Sequence, residues 1–266
     1  MIHSLTEMSP SARLWGSLWG DRPRDWAGNE EQQRPVYEAA LERTGVRPGD
    51  RVLDIGCGTG VFLRLCADRG AEVTGLDASE NLLAVARGRA PEAELIRGDM
   101  EALPFADDAF ALVSGFTSFF FADDMVAALR EAGRVARPRA SVVIEVFGAP
   151  ERCELELVKG AITPFRPTGE DGEEVRYWRP GMVEELAAAA GLTVAEATTC
   201  TTTYEYDTEE QMLLAMLSAG GAAAVAGPER EPELRAALVE ALAGCRRPDG
   251  GYSVANEWEI VVARAA

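Results

Sequence analysis

Two apolar rhythms alternate along this chain, short continuous runs and a helical period, and their order predicts its elements. Over residues 30–44, Val36, Ala40 and Leu41 share one face of a predicted helix that stops at Gly45. Pro48, Gly49 and Asp50 then turn the chain into an apolar run at residues 51–55. Val61, Phe62, Leu65 and Cys66 recur at helical spacing as far as Gly70, and EVTGLD at 72–77 is a second strand that ends in an acid. Ser79 is placed to cap a helix running to Arg89, residues 94–97 form a short third strand, and Gly98 and Asp99 fall just past its end. After a turn at 104–108, AFALVSGF at 109–116 is a continuous apolar strand of the buried parallel kind. Asp123 is predicted to cap a helix that carries Met125, Leu129 and Val135 on one face, and residues 141–147 form a fifth strand. Strands that alternate with helices imply a parallel α/β sheet with right-handed crossovers.

Beyond Gly148 the rhythm changes. Residues 154–163 read as a short helix and 164–179 as an irregular loop ending near Tyr177 and Trp178; 181–190 read as a helix between Pro180 and Gly191. Residues 193–207 are Thr-rich and β-prone, 209–218 and 232–243 are helical, 219–226 are a linker or a helix extension, and 252–264 alternate as a last strand. Residues 1–29 hold Trp15, Trp19 and Trp26 among polar residues, too polar for a core element and too aromatic for a free tail. They are expected to fold onto the domain, as a packing arm or as a lid.

Charge and cysteine content narrow the partners. With 44 acidic against 26 basic residues the net charge is -18, a field that repels phosphate backbones and argues against nucleic acid. RPRASV at 137–142 and the pair Arg246 and Arg247 are the compact basic clusters, both expected at solvated element ends. The five cysteines form no CxxC pair and are odd in number, so reduced thiols are expected rather than a disulfide framework or a zinc site. The single histidine, His3, gives little support to a metal site or a histidine base. No run approaches the roughly 20 apolar residues of a spanning helix, so a cytoplasmic protein with no membrane partner is expected, as monomer or homodimer.

The most informative stretch is RVLDIGCGTG at 51–60, a buried strand followed by glycines at alternate positions, 56, 58 and 60. Such a turn brings backbone close to a ligand. A dinucleotide fingerprint would space its glycines G-x-G-x-x-G, and here Val61 stands where the third is required. DIGCGTG at 54–60 resembles instead the first motif of the class I S-adenosylmethionine-dependent methyltransferases, bacterial small-molecule type. Asp77, the Gly98-Asp99-Met100 segment, LPFADDAFALV at 103–113 and the helix and strand from 129 to 147 extend the match over about residues 30–148. The resemblance implies a Rossmann-like, doubly wound, mostly parallel seven-stranded sheet with an antiparallel last strand, plus helical cap insertions. It also implies an S-adenosylmethionine site built from Asp54, Gly56, Cys57, Gly58 and Gly60, from Asp77 and Ala78, from Asp99 and Met100, from Gly115 and Phe116, and from Trp26. In that site Asp77 takes the ribose hydroxyls and Asp99 the adenine amino group.

Methyl transfer is then expected to reach a small apolar or aromatic acceptor, driven by positioning and exclusion of water, with S-adenosylhomocysteine as product. GFTSFFFADD at 115–124 follows the fourth strand and lacks a histidine, which disfavours histidine-assisted O-methylation. Phe119, Phe120, Phe147, Tyr177, Trp178 and Tyr204 are the candidate pocket residues, although Phe119 to Phe121 are equally suited to packing the next helix. Glu145 is expected to point to solvent or to pair with an arginine, with an acid–base role as the alternative. The expected organisation is an arm at 1–29, a cofactor-binding core at 30–148, and the rest of the sheet at 149–266 with insertions at about 149–179 and 208–250. Helices 209–243 are expected to cap the sheet's carboxyl edge. Two other readings stay open: a cofactor-binding protein that transfers no methyl group, and an NAD-dependent oxidoreductase, which Val61 disfavours.

Overall fold

A computed structural model of the chain describes residues 8–165, 179 and 181–266. Seven strands make one sheet in the order β3-β2-β1-β4-β5-β7-β6, where β1 is Arg51–Ile55, β2 Glu72–Asp77, β3 Glu94–Arg97, β4 Phe110–Phe116, β5 Ala136–Phe147, β6 Thr193–Tyr206 and β7 Tyr252–Arg264. The first five strands are parallel, and β7 runs antiparallel to β5 and β6 on either side of it. Strand order reverses at β1, which lies between β2 and β4, so the connections leave on opposite sides and open a crevice at its carboxyl end. This is the seven-stranded sheet the resemblance implies.

One face of the sheet is covered by α3 (Arg34–Thr44), α4 (Val61–Ala67) and α5 (Glu80–Arg89), the other by α6 (Met125–Val135) and α8 (Met182–Ala189). The runs in β1 and β4 are largely apolar because both faces are buried, with Asp54 and Ser114 the buried polar exceptions. Two boundaries differ from expectation. The cap of α6 is Asp124, whose Oδ1 accepts the amides of Val126 and Ala127 at 2.9 and 3.1 Å, while the Asp123 amide donates to Glu101. Strand β5 begins five residues early, directly after α6; the register slips between Phe110 and Leu112, Arg139 takes a φ of 65°, and Arg137 to Arg139 are exposed, so the basic cluster is the expected solvated strand end.

The N-terminal segment is helical: α1 (Pro10–Trp19) is capped by Ser9, and α2 (Pro23–Glu30) follows. The insertion between β6 and β7 is α9 (Glu209–Ser218) and α10 (Ala222–Ala241), so the 219–226 tract continues the helix, with breaks at Gly220, Gly221 and Gly227 where φ is positive. Glu209–Ala241 contains a window of mean hydropathy 1.3, half of it buried inside the protein. Strand β6 ends and β7 begins at the carboxyl edge of the parallel strands, and there α9 packs on α2, while α10 packs on α7 (Leu155–Ile162).

Replacing Asp124 with Ala removes both cap bonds of α6, so urea unfolding should show a lower midpoint at unchanged m, a loss of about 1 kcal/mol.

Candidate active site

The turn after β1 is built by its own backbone. The amides of Gly56 and Cys57 both donate to the Leu76 carbonyl, at 2.7 and 3.1 Å, and Gly60 closes onto Cys57 at 2.9 Å. All three glycines hold positive φ, 72°, 54° and 83°. A Cβ at Gly56 would lie 2.5 Å from Ser118, and one at Gly58 2.8 Å from the Glu30 carboxylate, so the turn can pack against those groups only with glycine at both positions.

Asp77, at the end of β2, accepts the Gly58 amide at 2.9 Å and the Ser79 amide at 2.8 Å. Burial raises its carboxyl to about 6 against the pull of those amides. Asp99 accepts from the amides of Ser9 and Glu101 at 2.8 and 3.0 Å. Glu30, at the end of α2, reaches into the turn and accepts the Thr59 amide and hydroxyl, both at 2.8 Å. Burial raises its carboxyl also. Arg89 donates to the carbonyls of Thr59 and Ala27, both at 3.1 Å, and so ties turn, α5 and α2 together.

Two adjoining pockets open to solvent, spanning about 350 and 550 Å³ with that open space included, lie beside these groups. Gly56, Gly58, Asp77, Ala78, Asp99, Met100, Phe116 and Trp26, all expected at a cofactor site, line them. Asp54, Cys57, Gly60 and Gly115 do not line either cavity; they build the site from behind. Asp54 is buried with its Oδ1 on the Ser114 hydroxyl at 2.7 Å, and burial holds its carboxyl well above the usual range. Cys57 packs toward Gly75, Gly60 begins α4 against Ala86, and Gly115 leaves room for the Phe119 ring.

The far wall of the cavities comes from α1 and α2. Trp15 meets Phe121 at 4.5 Å between ring centres, Trp19 meets Trp26 at 4.6 Å, and Gly16 lets α1 rest on the Ala78 carbonyl. Trp15 and Trp19 stand four residues apart, a helical spacing that would have revealed this face; Glu30 gave no comparable signal. The expected pocket residues separate. Phe119 packs into the opposite core, Tyr204 is buried near Trp258, Phe147 lies 5.0 Å from Trp258, and Phe120 joins Phe121 at 4.6 Å. Tyr177 and Trp178 lie outside the described residues.

Residues 53–144 match the methyltransferase domain family. A malonyl-[acyl-carrier protein] O-methyltransferase of Halorhodospira halophila is 34% identical over 249 residues, covering 88% of this chain and 80% of that protein. The chain belongs to the class I S-adenosylmethionine-dependent methyltransferase family. A protein of the same description from Serratia marcescens is 37% identical over 160 residues, 58% of this chain and 63% of that one, so the chain spans less than two thirds of that methyltransferase. The YcgJ protein of Bacillus subtilis has the same fold, with a TM-score of 0.60 at 22% identity over 86% of this chain and 97% of that one.

The residues fit the methyltransferase cofactor. The glycine cradle admits backbone contact, and each oxygen of Asp77 and Asp99 holds one amide and retains a second lone pair for a hydroxyl or amine. Val61 opens α4 at 1% exposure, filling the position a dinucleotide fingerprint reserves for glycine. Among the described residues no group of histidine, cysteine and carboxylate side chains could hold a metal.

Glu145 departs from its expectation of solvent or an arginine. It is 2% exposed on β5, both carboxylate oxygens lack a hydrogen-bond partner, and burial raises its carboxyl to about 8. A folded-state value above the unfolded 4.5 means that the native state holds the extra proton, so stability present below pH 4.5 is lost as pH rises towards 8. Glu145→Gln should therefore gain stability relative to wild type as pH rises across that window, read from paired thermal melts. A pH-independent difference would contradict the assignment.

Proposed function

We propose that the chain transfers a methyl group from S-adenosylmethionine to a small acceptor with an apolar or aromatic body. The observation that carries this reading is the meeting, in one cleft, of the open glycine cradle with carboxylates at the ends of two successive strands. In this reading the backbone of Gly56 and Gly58 receives the methionine portion, Asp77 accepts from the ribose hydroxyls and Asp99 from the adenine amine. Ala78, Met100 and Phe116 supply apolar contact, and Asp54 keeps the turn in shape through Ser114. The cofactor supplies a methyl group activated on a sulfonium, so the protein's task is to align the acceptor and exclude water. The tryptophan wall of α1 and α2 serves that exclusion as a lid, which is how we read the N-terminal segment.

The acceptor is a small molecule, free or carried on a protein as malonyl is in the names of the relatives. A nucleic-acid acceptor is disfavoured by the charge of -18. A cytoplasmic setting is supported by five free thiols. Calorimetry tests the cofactor assignment: wild type should bind S-adenosylmethionine, and Asp77→Ala should bind at least about tenfold more weakly, the expected cost of losing charge-assisted hydrogen bonds. Undiminished binding by the variant, or none by wild type, would overturn it.

A further inference from the structure

The rings of α1 and α2 are gathered at one end of the cleft. Trp19 and Trp26 line the larger pocket together with Gly58 and Asp77; they do not line the smaller one, which holds Asp99. Trp15 lines both. With the methionine portion of the cofactor on Gly56 and Gly58, the ribose at Asp77 and the adenine at Asp99, the sulfur that joins methionine portion to ribose falls in the part of the cleft that the tryptophans face.

What Trp19 offers that part is ring carbon. It is half-buried and lines the pocket, yet its indole Nε1 is enclosed without a hydrogen-bond partner. Cζ2, on the same side of the ring, lies 3.8 Å from where a Cβ on Gly220 would stand, so the N–H edge is turned towards the break between α9 and α10. The rings are also fixed in place. Trp19 meets Trp26 at 4.6 Å and 69° and Phe121 at 5.8 Å and 75°, both edge to face. Helix α1 rests directly on the end of β2, since a Cβ on Gly16 would stand 2.7 Å from the Ala78 carbonyl oxygen, and the Asn81 side-chain amide donates to the Gly20 carbonyl at 2.8 Å. Among the described residues, the charged side chains that line the two pockets are those of Asp77, Asp99 and Glu101, all acids.

Aromatic faces and carboxylates attract the same sign of charge, and the attraction to a ring face grows as water is excluded. Methyl transfer changes the charge at the sulfur. The bond from sulfur to the methyl carbon breaks and leaves its electron pair on sulfur, while a lone pair of the acceptor forms the new bond to that carbon. The sulfur becomes an uncharged thioether, and the positive charge passes to the acceptor.

We propose that Trp19 and Trp26 recognise the positive charge on the cofactor sulfur, so that the cleft holds the methyl donor more firmly than the rings hold the demethylated product. This role rests on the methyltransferase reading and deepens it. Exclusion of water does not tell apart two molecules that differ by one methyl group and one charge; a ring face against the sulfonium does.

The test is calorimetry on the full chain, without acceptor, using S-adenosylmethionine, S-adenosylhomocysteine and sinefungin, which carries an ammonium on carbon in place of the methylated sulfur. Trp19→Leu and Trp26→Leu keep apolar bulk and remove the ring. Each should bind S-adenosylmethionine and sinefungin about threefold to thirtyfold more weakly, the span of cation–π attraction from a half-open to a desolvated site, and S-adenosylhomocysteine within about twofold of wild type. Binding of S-adenosylhomocysteine at that level also reports that the variants fold. Trp19→Phe keeps the packing and a weaker ring, so its ratio of the two cofactor affinities should fall between those of wild type and Trp19→Leu. A ratio that does not move in any of the three variants, whether all ligands weaken together or none does, leaves the rings a covering role only and overturns the inference with the cofactor assignment intact. Failure of wild type to bind any of the three ligands overturns both.

Discussion

Two amides of the glycine turn share a single acceptor, the carbonyl of Leu76, and the rest of the site depends on that bond pair. It ties the end of β1 to the end of β2, so the turn cannot open without breaking the sheet edge. Asp77, the next residue, then lies under the Gly58 amide, and its carboxylate is fixed in the cleft by backbone rather than by a long side chain. The positive φ of Gly56, Gly58 and Gly60 is the geometric condition for this arrangement, and the contacts a Cβ would make with Ser118 and Glu30 add a steric one.

Buried carboxyl groups gather around that turn, and their different partners separate their roles. Glu30 and Asp77 accept backbone amides and hold the turn, and Asp54 accepts a serine hydroxyl beneath it. Burial raises all three against the pull of those bonds. Glu145 shares their burial and none of their bonds. Burial without a partner holds its carboxyl up to about 8, the cost that the other buried carboxyls of the turn offset through their hydrogen bonds.

The N-terminal helices complete the cleft by a different principle. Helix α1 has no buried residue of its own, yet it sets Trp15 and Trp19 against Phe121 and Trp26 and hands the Ser9 amide to Asp99. Its affinity for the core is spent on aromatic contact and on close approach at Gly16 and Gly20, where any side chain would strike Ala78 or Ser79. Helix α1 and Asp99 are thereby mechanically joined.

Much of this was legible in residues 51–147, because alternating apolar runs and helical spacing record local geometry, and because a glycine turn followed by acids at successive strand ends has few chemical uses. Sequence alone determined the order of the elements, the nature of the turn, and Asp77 and Asp99 as cleft residues. Only the tertiary structure decided which neighbours each side chain would find across the sheet. It turned Phe119 into the opposite core, set Asp54 behind the turn, brought Glu30 into it from another helix, and buried the Glu145 carboxyl without a hydrogen-bond partner. Those outcomes depend on strand register and on helices far away in the chain, and a local pattern carries no record of either.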